Sequence, residues 1–309
     1  RNLLTKEIIE DNIERIKTQL EQFIDLKSKS NPGLILNNAA WLRELDFISF
    51  LRDTGKHFTI NYMLSKESVK SRISREEGIS FTEFSYMILQ AYDYLNLYNN
   101  FGCKLQMGGS DQWGNILSGI DLINRLHRKN LNSKEPLAHG LTYPLITNSS
   151  GEKFGKSVST APTLDQNQTS SYKLYQFFFN VDDRDAIRYM KYFTLLSKRE
   201  INHYKKSLKE TPKKRESQLK LAEEVTRMVH SDKGLYQAKK ITNALFEGKF
   251  TKLNIEELKD ALEGAPSSKI KREKLTSSYT IQQLCVEHGI CSSLSETRRL
   301  ISQGGLYIN

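Results

Sequence analysis

The sequence predicts a mixed α/β domain followed by a helical one, and three observations carry that expectation. A short strand candidate, KLQM at 104–107, enters the glycine turn GGSD and leads into QWGNILSGIDLINRLHRK, whose apolar residues recur with helical spacing. From about residue 166 the texture changes to a succession of capped, helix-length segments. The 309 residues give room for two or three domains and for a sizeable core.

Taken in order, residues 5–26 place apolar side chains at 8, 9, 13, 16, 20, 23 and 24, an amphipathic helix with Thr5 as its N-cap. After the turn SKSNPG, the stretches LILNNAAW and LDFISFLRD alternate short apolar runs with turn signals, as a mixed α/β domain does. FTEFSYMILQAYDYL, residues 81–95, reads as a mostly apolar helix, and the strand, glycine turn and helix come next. The helical segments are TSSYKLYQFFFN, DDRDAIRYMKYFTLL, SKREINHYKKSLKE, KRESQLKLAEEVTRMVHS and KGLYQAKKITNALFEG. A linker rich in Ser and Lys, from about Ala265 to Ser278, precedes a last short segment, and no internal repeat is present.

Composition narrows the function. With 38% apolar and 27% charged residues the chain has a globular make-up, and it contains no run of 18 apolar residues that could span a membrane. Lys and Arg number 46 against 36 Asp and Glu, a net charge of +10 that favours polyanionic partners. Nine of those cations fall between Lys198 and Lys220 against three Glu, so a helical surface there is strongly basic. Three cysteines, Cys103, Cys285 and Cys291, without C-x-x-C spacing indicate a reducing compartment and no zinc site.

Three constellations have the residue types for chemistry. Tyr86, Gln90 and Asp93 stand at i, i+4 and i+7 on one face of the 81–95 helix. That face is either solvated or holds a ligand; Tyr, Gln and Asp form a fixed set of donors and acceptors suited to a small zwitterion, where a solvated face usually shows Lys and Glu. In GGSDQWGN, residues 108–115, two glycines let a ligand approach the backbone and Asp111 can accept from a ribose hydroxyl, or can simply cap the following helix. GEKFGKS, residues 151–157, is not a P-loop, because only three residues separate Gly151 from Gly155 and no apolar strand leads in. It is a glycine-bearing loop that presents Lys153, Lys156 and the Ser157 hydroxyl, either as a plain basic turn or as point charges for a polyphosphate. Neither H-E-x-x-H nor G-x-S-x-G occurs, which argues against metal-centred or serine-nucleophile hydrolysis.

In this order the stretches resemble the tyrosyl-tRNA synthetases of bacterial and mitochondrial type, class I aminoacyl-tRNA synthetases. The resemblance runs through FLRDTGKHFTINYML, ISFTEFSYMILQAYDYL, GGSDQWGNI, KFGKS (the family's KMSKS loop), DDRDAIRYMKYFTLLS, AEEVTRMVHS and ETRRLISQGGLYIN, and so through essentially the whole chain. It implies a Rossmann-like nucleotide-binding domain over 1–165, an α-helical anticodon-binding domain over 166–265, and the start of a ribosomal-type RNA-binding module over 276–309. It further implies that Asp93 accepts the phenolic proton of L-tyrosine, that Tyr86 and Gln90 hold its ammonium, and that Gln106 lies beside the pocket. Gln112 would lie beside the carboxylate and α-phosphate. Asp111 and the Gly109 backbone would bind the ATP ribose, Leu145 and Ile146 would flank adenine, and Lys153, Lys156 and Ser157 would close over the departing pyrophosphate. ATP with Mg2+ is the implied co-substrate, tRNA(Tyr) the implied acceptor, and a homodimer the implied assembly, with Phe47 to Leu51 and Phe81 as its apolar surface or, equally, as ordinary core.

The chemistry those roles require is positioning and charge stabilisation for in-line attack of a carboxylate on phosphorus. Discrimination against phenylalanine would follow from a buried carboxylate left without its hydroxyl partner, an effect for which this family is a standing example. The family's HIGH motif and its first strand have no counterpart in the chain, and GGLYIN stops within a motif, so the sequence reads as a piece of a longer enzyme. The rival reading is a synthetase-derived RNA-binding protein without catalysis, for example one supporting group I intron splicing; activation of another amino acid such as tryptophan is a third. The basic pI of 9.3 favours the mitochondrial matrix over a bacterial cytoplasm.

Overall fold

Thr5 opens the first helix as the sequence predicts, its hydroxyl accepting from the Ile8 backbone N–H at the head of α1 (Lys6–Leu20). The helix stops six residues short of the predicted end. Beyond Leu20 the chain tightens, with Phe23 and Ile24 both donating to the Leu20 carbonyl, and Asp25 then takes the Lys27 N–H in a turn of its own. No residue of α1 is buried, so its apolar stripe of Ile8, Ile9 and Ile16 is exposed. The computed structural model describes residues 4–73, 78–127, 136–154, 161–263, 265, 267–274 and 278–306, which gather into two compact units, 1–154 and 155–309.

In the first unit the segments between turn signals form short helices: α2 (Ala39–Leu42), α3 (Phe47–Asp53), α4 (Ile60–Leu64) and α5 (Glu67–Ile73). Asp46 and Thr59 cap α3 and α4 through the Ser49 and Tyr62 N–H groups. The long helix α6 (Phe81–Phe101) is capped by Ser80 and ends at Gly102, whose φ of 64° is the left-handed conformation that closes a helix. β1 (Leu105–Gly109) follows, then a 3-10 turn over Ser110–Gln112 and α7 (Trp113–His127).

The strand beside β1 is β2 (His139–Tyr143), parallel to it, with Leu105 opposite His139 and Gly109 opposite Tyr143. Parallel pairing needs a crossover, and α7 supplies it. Packing of α7 on α6 and β2 depends on small residues. A Cβ on Gly119 would lie 2.8 Å from the Tyr94 ring, and one on Gly140 would lie 2.7 Å from Ile116. The core at this junction is Ala91, Tyr94, Leu95, Leu122, Ile123 and Ala138. Tyr94 is fully buried, and its hydroxyl donates to the His139 carbonyl at 2.8 Å, tying α6 to the start of β2.

The second unit is helical, as the sequence predicts: α8 (Ser171–Phe179), α9 (Asp183–Phe193), α10 (Lys198–Glu210), α11 (Glu216–Glu247), α12 (Ile255–Ala261), α13 (Ile281–Glu287) and α14 (Leu294–Ser302). The two segments expected as separate helices follow one another within α11 and are divided at Ser231, where φ 66° and ψ 177° leave the helical geometry, as the sequence predicts. Gly234 lets α8 and α11 approach, since a Cβ there would lie 2.7 Å from Ser171 Oγ. Along α10 and the turn after it, Lys198, Arg199, Lys205, Lys206, Lys209, Lys213 and Lys214 are exposed, the basic surface foreseen from the charge run.

Candidate active site

Helix α6 carries Tyr86, Gln90 and Asp93 on one face, and the structure separates their surroundings. Asp93 is half-buried, and both its carboxylate oxygens are held: Oδ2 accepts from Asn38 Nδ2 at 2.8 Å and Oδ1 from Trp41 Nε1 at 2.7 Å. Two donors from the chain around α2 thus fix the carboxylate, and a carboxylate with about four lone-pair sites can still accept a ligand hydroxyl. Gln90 is half-buried, its Oε1 accepting from Asn115 Nδ2 at 2.9 Å. Tyr86 is 57% exposed. The polar stripe is therefore not a uniformly solvated face; its inner two members belong to networks.

Asn115, on the first turn of α7, also donates to Gln112 Oε1 at 3.4 Å. One side chain thereby joins Gln90 of α6 to Gln112 of the glycine turn. A cleft of about 420 Å3 opens on the same region, lined by Tyr86, Asp111, Gln112 and Asn115 together with Arg72, Glu83 and the apolar Val69, Ile79, Phe84 and Met87. Arg72 and Glu83 form an ion pair within it.

The glycine turn gathers a second group of residues. A Cβ on Gly109 would sit 2.7 Å from Asp111 Oδ1 and 3.0 Å from Leu145 Cδ2, so the absent side chain is what allows the carboxylate and the leucine to converge over the backbone. Asp111 lies within the 3-10 turn, before α7, and its exposed carboxylate takes part in no hydrogen bond among the described residues. The capping alternative for Asp111 is thus not realised. Gln106, on β1, has a buried amide oxygen without a hydrogen-bond partner, an acceptor whose desolvation is uncompensated in the chain itself. Burial pushes the Tyr94 phenol up, so it stays a donor to the His139 carbonyl while it braces α6.

Ile146 opens a small hairpin. Phe154 N–H donates to the Ile146 carbonyl at 2.8 Å, and Thr147 and Lys153 form an antiparallel bridge. Lys153 is exposed and makes no ion pair among the described residues. Lys156 and Ser157 lie outside the described residues.

Sequence reasoning did not single out Asn38, Trp41, Asn115 or Arg72. A signal for two of them was present: NNAAW places an Asn and a Trp three residues apart, and an indole N–H that packs needs an acceptor.

Comparison with known proteins gives these features a context. The family described as tRNA synthetases class I (W and Y) matches residues 1–247. The tyrosine–tRNA ligase of Roseiflexus castenholzii is 47% identical over 310 residues, covering all of this chain and 72% of the relative; that of Geobacillus stearothermophilus is 48% identical over 309 residues, with 71% of the relative covered. A C-terminally truncated mitochondrial tyrosyl-tRNA synthetase of Aspergillus nidulans superposes with a TM-score of 0.64 at 29% identity, over 79% of this chain and 70% of that one. The corresponding Coccidioides posadasii structure gives 0.61 at 32% identity, over 77% and 68%. With its strand, glycine turn and helix beside α6, and with matches of this extent, the chain belongs to the class I tRNA synthetases of the tryptophan and tyrosine group.

Proposed function

We propose that the protein is a tyrosine–tRNA ligase, which activates L-tyrosine with ATP and Mg2+ to tyrosyl-adenylate and transfers the tyrosyl group to tRNA(Tyr). The observation that carries this reading is the Asn115 bridge between Gln90 and Gln112, which sets α6 beside the turn where Gly109, Asp111 and Leu145 converge. On this reading Asp93, held by Asn38 and Trp41, accepts the phenolic hydroxyl, and Tyr86 and Gln90 face the ammonium. The orphan oxygen of Gln106 belongs to the pocket. Gln112 meets the carboxylate and α-phosphate, and Asp111 with the Gly109 backbone takes the ribose, with Leu145 and Ile146 at adenine. Lys153, with Lys156 and Ser157, offsets the charge that builds on pyrophosphate in the transition state, where a well-aimed donor is worth about 3 kcal/mol.

The domain boundaries at 165 and 265 and the module from 276 belong to the same proposal, with the basic α10 surface contacting tRNA phosphates. We assign the exposed apolar residues Phe47, Ile48, Leu51 and Phe81 to a twofold homodimer contact. We place the protein in the mitochondrial matrix on its basic pI of 9.3, with the bacterial cytoplasm as the alternative.

Charging of tRNA(Tyr) with labelled tyrosine, with phenylalanine and tryptophan as competitors, tests the proposal. Tyrosine alone should be attached. Preferred attachment of tryptophan, or tRNA binding with no charging at all, contradicts it, and the latter is the outcome expected of a purely RNA-binding protein.

A further inference from the structure

The hairpin that presents Lys153 is organised around a side chain to which the activity assigns no part. Asn148 Oδ1 accepts from the Ser150 N–H at 3.1 Å, the Ser150 hydroxyl at 3.1 Å and the Glu152 N–H at 2.9 Å. Its Nδ2 donates to Glu152 Oε2 at 2.8 Å. Its backbone closes the same turn, donating to the Glu152 carbonyl at 2.9 Å and accepting from Gly151 N–H at 3.0 Å. Gly151, with φ of 84°, supplies the left-handed residue the reversal needs.

Two consequences bear on Lys153. Its direction depends on the bridge to Thr147, and that bridge is one residue from Asn148 on one strand and one residue from Glu152 on the other. Glu152 is the nearest acidic neighbour in sequence; its Oε2 accepts from Asn148, and it forms no ion pair with the Lys153 ammonium among the described residues. In extended chain successive side chains point to opposite faces, and the Asn148 amide keeps Glu152 on its own. The root of the hairpin is Ile146, next to Leu145, which packs over Gly109.

We propose that Asn148 is a positioning residue for tyrosine activation: it locks the 146–154 hairpin so that Lys153 is aimed at the polyphosphate, and it holds the Glu152 carboxylate away from that charge. The proposal rests on the reading of Lys153 given above. Misplacement of a donor by even an ångström costs rate without abolishing substrate binding.

The test is tyrosine-dependent ATP–pyrophosphate exchange by the protein as expressed from its gene. Asn148→Ala should lower kcat by about 10-fold with the KM for tyrosine unchanged, less than the roughly 10²-fold or greater loss expected for Lys153→Ala, as a lost transition-state donor implies. In the Lys153→Ala background, Asn148→Ala should cost less than about 2-fold, because residues acting through one another are not additive. Asn148→Asp combined with Glu152→Gln exchanges donor and acceptor and should restore most of the lost kcat. Wild-type kcat in Asn148→Ala overturns the proposal, as does an equal loss in both backgrounds, which would mark a structural role independent of Lys153. A silent Lys153→Ala would overturn the reading of the loop itself, and this proposal with it; a costly Lys153→Ala beside a silent Asn148→Ala overturns this proposal alone.

Discussion

At the residue scale the account depends on who holds Asp93. On the proposed reading Asp93 receives a phenol and gains from being oriented beforehand; Asn38 and Trp41 donate to its two oxygens in short hydrogen bonds. Trp41→Phe keeps an aromatic ring, smaller than the indole, and removes the donor. A hydrogen bond to a charged group contributes about 1.5 to 3 kcal/mol, so the KM for tyrosine should rise on the order of 10-fold and the preference for tyrosine over phenylalanine should narrow. Steady-state kinetics with both amino acids check this; an unchanged ratio means that the indole does not serve the socket. The positions of Tyr86, Gln90 and Asp93 were legible from i, i+4, i+7 spacing, because a helix face is a local property. Their partners Asn38 and Trp41 were not, because they come from more than 50 residues away and only the fold brings them to α6.

At the element scale glycine and its absence decide packing and strain. Gly119→Ala should destabilise the first unit by about 1 to 3 kcal/mol, although alanine is the better helix former, because the new methyl would meet Tyr94 at 2.8 Å. Ser231 is the reverse case. Its φ of 66° and ψ of 177° lie in a region that only glycine occupies freely, so Ser231→Gly should stabilise the second unit by about 1 to 2 kcal/mol in urea unfolding. Beside it, His230 is buried, with Nδ1 3.1 Å from Ser171 Oγ, and burial pushes its pKa below the ordinary value of 6.5. The folded unit resists a proton that the unfolded chain takes up, so stability should be full above about pH 6.5 and fall as the pH drops below it. Carboxylates such as Asp182, held at about 2 by hydrogen bonds from Arg184, respond only in stronger acid. Unfolding measured at pH 7.5 and 5.5 should therefore differ in the wild type and differ less in His230→Gln. Six of the seven helices of this unit were legible from their own side-chain caps, as Ser197 with Glu200 shows, whereas α11 starts after Arg215 without one and shows only its periodicity. β2 was not: HGLTY has neither a strong apolar run nor a turn signal, and it becomes a strand because β1 and α7 offer it a place.

For the whole molecule the net charge of +10 is a statement about partners. Replacing Lys205, Lys206 and Lys209 by Glu should weaken tRNA binding, with a log–log salt dependence shallower by roughly 2 to 3, one unit per lost phosphate contact. Pyrophosphate exchange, which needs no tRNA, should not change. An unaltered salt slope would remove α10 from the RNA-binding surface. The basic run was legible as composition, and its exposure on α10 and the following turn agrees with that reading.

The most direct measurement is tyrosine-dependent ATP–pyrophosphate exchange, compared between the wild type, Asp93→Ala and Asp111→Ala. Exchange should be robust in the wild type, nearly abolished with loss of tyrosine preference in Asp93→Ala, and show a raised KM for ATP in Asp111→Ala. Undiminished exchange in Asp93→Ala, or a change in the tyrosine KM alone on removing Asp111, would contradict a site in which α6 holds the amino acid and the glycine turn holds the nucleoside.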